Sequence, residues 1–121
     1  MRTYAFEKLE VWQKAKDLAV LIYRVTAALP QIERFGLSSQ IQRAAVSVAS
    51  NLAEGCSRQS GKEQARYTEM SFSSLMELLN QLIIMLELGY INSEKLTEFR
   101  VMIDEIAAKL QRLRMAQLKR N

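Results

Sequence analysis

Cations dominate the side chains of this sequence that could do chemistry. Arg58, Lys62 and Arg66 stand in "SRQSGKEQAR", and Lys109, Arg112, Arg114, Lys119 and Arg120 follow from Ile106 to the end with no acidic residue among them. Clustered cations bind phosphate groups, and with them RNA or DNA, through charge rather than base identity. Residues 1–105 balance their basic residues almost evenly against all 13 acidic ones, so the net charge of +4 belongs to a basic tail expected over 109–121. The other reading of that tail is a solvated helix end whose cations suit the helix dipole. Arg58, Lys62 and Arg66 surround an expected helix start, where free N–H groups favour anions, although Glu63 competes for the same groups.

Catalytic and metal chemistry has little to work with. The sequence contains no His, which removes Ser-His-Asp and Cys-His catalysis and every His-containing metal site. One Cys, Cys56, makes neither a Cys-rich zinc site nor an internal disulfide. No phosphate-cradling glycine loop is present. Glu69, Glu77 and Glu87 are spread along one expected helix and read as solvated or salt-bridged rather than as an acid/base pair. The expectation is a protein that is not an enzyme and carries no cofactor or metal.

A third group is polar and ordered. In "RAAVSVASNLAEG" (43–55), Arg43, Ser47, Asn51 and Glu54 fall on one side of a helix, and Ile41, Ala45, Val48 and Leu52 lie opposite. Arg43 is near the positive end of that helix and Glu54 near the negative end, so both charges oppose the dipole. They are eleven residues apart, about 16 Å along a helix, so partners belong on another helix or another subunit. Two readings stand: a solvated face, or a polar network that fixes helix or subunit register.

These residues are carried by helices. The 121-residue chain is nearly half apolar, with four Gly and one Pro, which fits one domain of long helices. Val11, Ala15, Leu18, Ile22, Val25 and Leu29 mark a first helix over about 8–29, with Glu10 and Lys14 as an i,i+4 pair and Pro30 as its stop. A second runs over about 39–54, with Ser39 and Gln42 as a capping box and Gly55 as the C′ residue. A third runs over about 61–88, with Ser60 and Glu63 at its start and Gly89 at its end. A fourth covers about 93–115, where Leu96, Phe99, Ile103, Ile106, Leu110 and Leu113 make one seam. With short connectors the expected fold is all-α, an antiparallel up-down four-helix bundle.

The third helix carries two apolar seams. Thr68, Phe72, Leu75, Leu79, Leu82 and Leu86 form one; Tyr67, Met70, Ser74, Leu78, Gln81, Met85 and Leu88 form another, rotated by roughly 100° or more. If a bundle core covers one seam, the other needs a cover of its own. The Met- and Tyr-bearing seam is therefore expected to be a subunit interface in a homo-oligomer. No apolar run reaches the roughly 18–20 residues of a membrane span, and "MRTYAFEKLEVWQ" lacks the apolar core of a signal peptide, so a cytoplasmic location is expected.

Three stretches together, "FEKLEVWQKA" (6–15), "SQIQRAAVSVASNLAEG" (39–55) and "LELGYI" (86–91), resemble a bacterial family of four-helix bundles. It is the family named after proteins encoded in intervening sequences of large-subunit ribosomal RNA genes. The accessory variability determinant protein of diversity-generating retroelements looks like a relative. The resemblance covers roughly residues 6–115. It implies an antiparallel bundle assembled as a homopentameric barrel. For the retroelement relatives it also implies a basic surface that binds nucleic acid and a reverse transcriptase. The family's label as a ribosomal protein carries no ribosomal role with it. The motif positions here are Arg43, Ser47, Asn51, Glu54 and Gly55, read as structural. Family members often have Pro where this chain has Ala49, so a Pro-dependent bend is not expected. Two functions follow from different classes: an oligomeric bundle that binds RNA, DNA or a nucleic-acid enzyme through basic surface, or a protein-interaction scaffold without a nucleic-acid role.

Overall fold

A computed structural model describes residues 1–120 and contains four helices: α1 (Glu10–Thr26), α2 (Leu37–Cys56), α3 (Gly61–Glu87) and α4 (Ser93–Leu118). Two short 3-10 turns, Ala5–Lys8 and Gln31–Glu33, lead into α1 and α2, and there is no strand among the described residues. Helix α1 packs on α2, α2 on α3 and α3 on α4, with a thinner contact closing α4 onto α1. Buried Leu18, Ile22, Ile41, Val48, Leu75, Leu78, Leu82, Met85, Ile103, Ile106 and Leu110 fill the interior.

The helix ends show how local chemistry sets the boundaries. Ser60 Oγ accepts the Glu63 N–H at 3.1 Å and Asn92 Oδ1 accepts the Lys95 N–H at 2.8 Å, which starts α3 and α4 where expected. Glu63 does not close the reciprocal half of the box; its carboxylate turns to Arg66 at 3.3 Å. Helix α3 ends in a Schellman motif: Gly89, at φ +80°, donates to the Leu86 carbonyl and Tyr90 donates to that of Met85.

Helices α1 and α2 depart from expectation at their ends. Leu9 stays extended and admits α1 only at Glu10, and the helix ends at Thr26, whose hydroxyl donates back to the Ile22 carbonyl at 2.9 Å. Helix α2 begins at Leu37, not at Ser39, because the Glu33 carboxylate in the preceding turn accepts the Leu37 N–H. Ser39 is thus inside the helix, and Gln42 spends its amide on Thr26 Oγ1 of α1 at 2.8 Å. Gly55 is not a C′ residue either. It sits buried within α2, where an added Cβ would stand 2.8 Å from Tyr67 Cβ, so glycine is there to let α3 come close. The expected Glu10–Lys14 pair gives way to pairs between helices, Lys14–Glu105 at 3.1 Å and Lys109 on Glu10.

The two seams of α3 are both used inside one chain. Tyr67, Leu78, Gln81 and Met85, expected at a subunit interface, are buried in the fold. Met70 and Ser74 are half-buried, and of that set Leu88 alone is exposed. The physical reason is geometric. A helix at the corner of a four-helix square has two neighbours on adjacent sides, so it buries two faces. The second seam faces α2, whose small residues Ala44, Ala45 and Gly55 admit it. The polar row lies along the same contact: Ser47 Oγ and Ser74 Oγ are 2.8 Å apart, and Asn51 Nδ2 donates to the Ser47 carbonyl at 2.9 Å. Ser71 Oγ adds a buried bond to the Val48 carbonyl at 2.7 Å. This part of the row fixes the register of α2 on α3. Arg43 and Glu54 remain exposed, with no ion-pair partner among the described residues.

The expected basic tail is not a tail. Residues 109–118 are the last turns of α4, with Leu110 and Gln117 buried, because the apolar seam continues beyond Leu113 to a polar residue that finds a partner. Asn121, its last residue, lies outside the described residues.

Candidate nucleic-acid interface

Three helix ends meet at one end of the bundle: the close of α2, the start of α3 and the close of α4. What brings them together is a glycine and a buried pair. A Cβ on Gly61 would overlap the Gln117 carbonyl oxygen and stand 2.7 Å from Arg120 Cβ, so α4 runs directly over the first turn of α3. Beneath it, Thr68 Oγ1 donates to Gln117 Oε1 at 2.6 Å, with both residues buried. Gln64 ties the surface layer, accepting from Arg120 at 2.7 Å through Oε1 and donating to the Arg58 carbonyl at 3.0 Å through Nε2.

The consequence is a convergence of charge from both basic stretches. Arg58, Lys62 and Arg66 come from the α2–α3 turn and the start of α3; Lys119 and Arg120 come from the end of α4. Arg58 and Arg66 flank the Tyr67 ring, with guanidinium carbons 4.7 Å and 5.1 Å from its centroid, and Arg58 also donates to the Tyr67 hydroxyl at 2.6 Å. These contacts hold two flexible side chains in place at the surface. Lys62 and Lys119 are exposed and without an ion-pair partner among the described residues. Glu63 is engaged with Arg66, and Glu69, one turn further along α3, with Arg114. The five gathered cations make this end a positive surface. Cys56 lies beside it, its thiol pushed up by burial, against a smaller opposing pull from Arg120. An idle thiol fits that environment better than a reactive one.

The remaining candidates lie elsewhere. Lys109 reaches across to Glu10 of α1 and also stands 4.0 Å from Glu105, so it holds α4 against α1. Its hydrogen bond and charge lower the Glu10 carboxyl below the usual range. Arg114 pairs with Glu69 of α3 at 3.4 Å. Arg112 is exposed in α4, six residues and about 9 Å before the helix ends at Leu118. Sequence reasoning placed Tyr67 at a subunit interface and overlooked Gln64 and Gln117. A signal existed for Gln117: it occupies the next seam position after Leu110 and Leu113, and a polar residue there needs a buried partner.

Among the described residues no three His, Cys, Asp or Glu side chains gather where they could hold a metal ion. No helix among the described residues is long and apolar enough to cross a membrane.

Comparison with known proteins places the fold and the family. The crystal structure of a protein of unknown function from the S23 ribosomal protein family, from Bacteroides thetaiotaomicron VPI-5482, superimposes with a TM-score of 0.76 at 24% identity. It covers 83% of this chain and 94% of that one, and at this identity it speaks for the fold. Among curated proteins none matches the chain. A family model described as the 23S rRNA-intervening sequence protein matches residues 7–112, and the chain belongs to that family.

Proposed function

We propose that this protein is a non-enzymatic helical-bundle protein of the cytoplasm that associates with copies of itself and binds nucleic acid through the basic end of the bundle. The observation that carries the reading is the convergence of Arg58, Lys62, Arg66, Lys119 and Arg120, from two distant stretches of sequence, on one surface. Such a surface binds the phosphate backbone of RNA or DNA without base specificity, and its affinity falls steeply with salt. Base stacking plays no part, because Tyr67, the aromatic residue at this end, is buried under its two arginines. A nucleic-acid enzyme, such as the reverse transcriptase that the family resemblance implies, would reach the same nucleic acid beside it. The homopentamer belongs to this proposal through the same resemblance.

Light-scattering mass, measured with and without a short random RNA at low and at high salt, tests the reading. The expected result is a multimer, about five protomers, that takes up RNA at low salt and releases it at high salt. A multimer indifferent to RNA at both salts refutes the nucleic-acid part and leaves a protein-interaction scaffold. That second reading has its own support in exposed apolar side chains on α1 and α2, Val20, Tyr23 and Val46.

A further inference from the structure

We infer that copies of this chain join head to tail, the cleft between α1 and α2 of one copy receiving the outer face of α3 of the next, with Lys16 and Arg24 opposite Glu69 and Glu77. The inference rests on the self-association proposed above and names the surfaces that would make it.

The cleft is about 840 Å³. Trp12 and Tyr23 stand along it, Val20 and Val46 are half-exposed within it, and Ala49 and Ala53 line its α2 side. Small residues beside aromatic ones leave a trough that side chains of a helix ridge can enter. Lys16 and Arg24 are also on its lining. They are two turns apart on α1, about 12 Å. Beyond Ala27 the apolar surface continues into the connector, where Ile32 and Phe35 are 85% and 88% exposed. Phe35 has the Arg34 guanidinium carbon 5.3 Å from its ring centroid, and both apolar side chains stay largely in solvent.

The outer face of α3 carries the complement. Glu69 and Glu77 are also two turns apart, about 12 Å, with Met76 next to Glu77 and Ile83 and Ile84 nearly two turns further along, all three exposed. The order along the helix is therefore the same on both surfaces: charge, apolar side chain, charge, then a second apolar group. The levels also agree. The Thr26–Gln42 bond sets the height of α1 on α2, and the Ser47–Ser74 and Ser71–Val48 bonds set that of α2 on α3. Together they put Lys16 level with residues near Glu69, Arg24 level with Glu77, and the Ile32–Phe35 connector level with Ile83 and Ile84. In an up-down bundle α1 and α3 also run in the same direction. A rotation about an axis along the bundle keeps level and direction, so each charge meets its opposite in the next copy and the apolar connector meets Ile83 and Ile84.

Charge excludes the two self-complementary alternatives. Cleft against cleft would bring Lys16 and Arg24 of both copies together, and α3 against α3 would bring the glutamates together; like charges disfavour both. The charges of the cleft are also available. Among the described residues Arg24 has no ion-pair partner, and Lys16 has only its neighbour Asp17 at 3.5 Å. Glu77 accepts a hydrogen bond from Gln81 at 3.4 Å, and Glu69 pairs with the exposed Arg114.

The test uses the full chain and two exposed positions, Val20→Glu to spoil the cleft and Met76→Arg to spoil the ridge. Circular dichroism shows that each stays helical, and light scattering reads the mass. Each variant alone is expected to be monomeric. An equimolar mixture is expected to regain at least a dimer, because the intact cleft of one variant meets the intact ridge of the other. As a milder pair, Arg24→Glu is expected to weaken association about tenfold and Glu77→Arg in the same chain to restore it. A multimeric wild type whose variants assemble equally well overturns this interface and leaves self-association standing. Variants that dissociate but do not recover on mixing also overturn it. A monomeric wild type removes both the interface and the oligomer reading.

Discussion

Gly61→Ala should cost more than its single methyl group implies, because of where that group would go. In an ordinary helix the change gains up to about 1 kcal/mol of helix propensity, and less at a first-turn position. Here the new Cβ would overlap the Gln117 backbone oxygen and crowd Arg120 Cβ at 2.7 Å. A backbone oxygen cannot swing aside as a side-chain tip can, so the last turn of α4 must lift. Overpacking of this kind costs about 1–3 kcal/mol. Lifting Gln117 also stretches its 2.6 Å bond to Thr68; the Thr68 hydroxyl keeps the Gln64 carbonyl at 3.2 Å, so the loss is that of one hydrogen bond, about 1 kcal/mol. Set against the propensity gain, the net destabilisation is about 2 kcal/mol. An unfolding entropy of about 2.1 cal/mol/K per residue over the 121 residues converts this to a Tm lowered by about 8 °C. Thermal unfolding followed by circular dichroism reads it, and amide exchange at Gln117 reads the local displacement. A Tm unchanged or raised, with Gln117 as protected as in the wild type, would refute the close approach of α4 to α3 and the convergence of cations that depends on it.

Lys62→Gln with Lys119→Gln should leave the fold alone and flatten the salt dependence of nucleic-acid binding. With five cations engaged on a duplex, the slope of log affinity on log salt is about −4.5, and with three it is about −2.7; fluorescence anisotropy between low and physiological salt distinguishes them, and an unchanged slope places the binding surface elsewhere. Lys109→Met should return the Glu10 carboxyl to its usual range, read by NMR titration. Since Lys109 lowers the Glu10 carboxyl in the folded chain, the stability this pair contributes is present above the ordinary carboxylate range and lost as pH falls through the lowered value, so the wild type should lose its advantage over the variant in acid. Nucleic-acid affinity should barely move in that variant. Tyr90 donates to Glu33 at 2.7 Å, which raises its phenol above 10.0; the contribution is present below that value and lost as pH rises through the raised one, so the wild type should approach Tyr90→Phe in stability in strong alkali.

Much of the fold was legible because helical patterns are local. The α4 seam from Leu96 to Leu110 is buried as its three-four spacing predicts, and the Ser60 and Gly89 signals mark real helix ends. Failures occurred where two segments competed for one group. Ser39 looked like a cap, but Glu33 from the preceding turn reached the helix first. Gly55 looked like a terminator, but Tyr67 of another helix needed its missing Cβ. The second seam of α3 looked spare because nothing in one helix shows how many neighbours it will have. The answer was partly in α2, whose run of small residues was the surface built to cover it. The cations of the site were legible as types but not as a set. Lys109 lies within α4 and Arg120 just past its end; one is drawn to Glu10 and the other to Gln64, a division that periodicity does not record.

The two proposed surfaces bear on each other through the geometry of rotation. The basic end belongs to the close of α2, the start of α3 and the close of α4, while the cleft and the ridge lie along the sides of the bundle. A rotation axis along the bundle joins copies by their sides and leaves every basic end facing the same way. Cations that are few on one protomer then become a ring on the assembly, and the number of phosphates that can be neutralised grows with the number of copies. Affinity built in this way multiplies through effective concentration rather than through new contacts. A variant that dissolves the side contacts, Val20→Glu, should therefore weaken RNA binding although it is remote from every cation of the site. The weakening should appear with long RNA, which spans several copies, and vanish with an RNA short enough to occupy one. Equal loss with both lengths would mean that the substitution disturbed the basic end itself, and no loss with either would mean that each protomer binds alone.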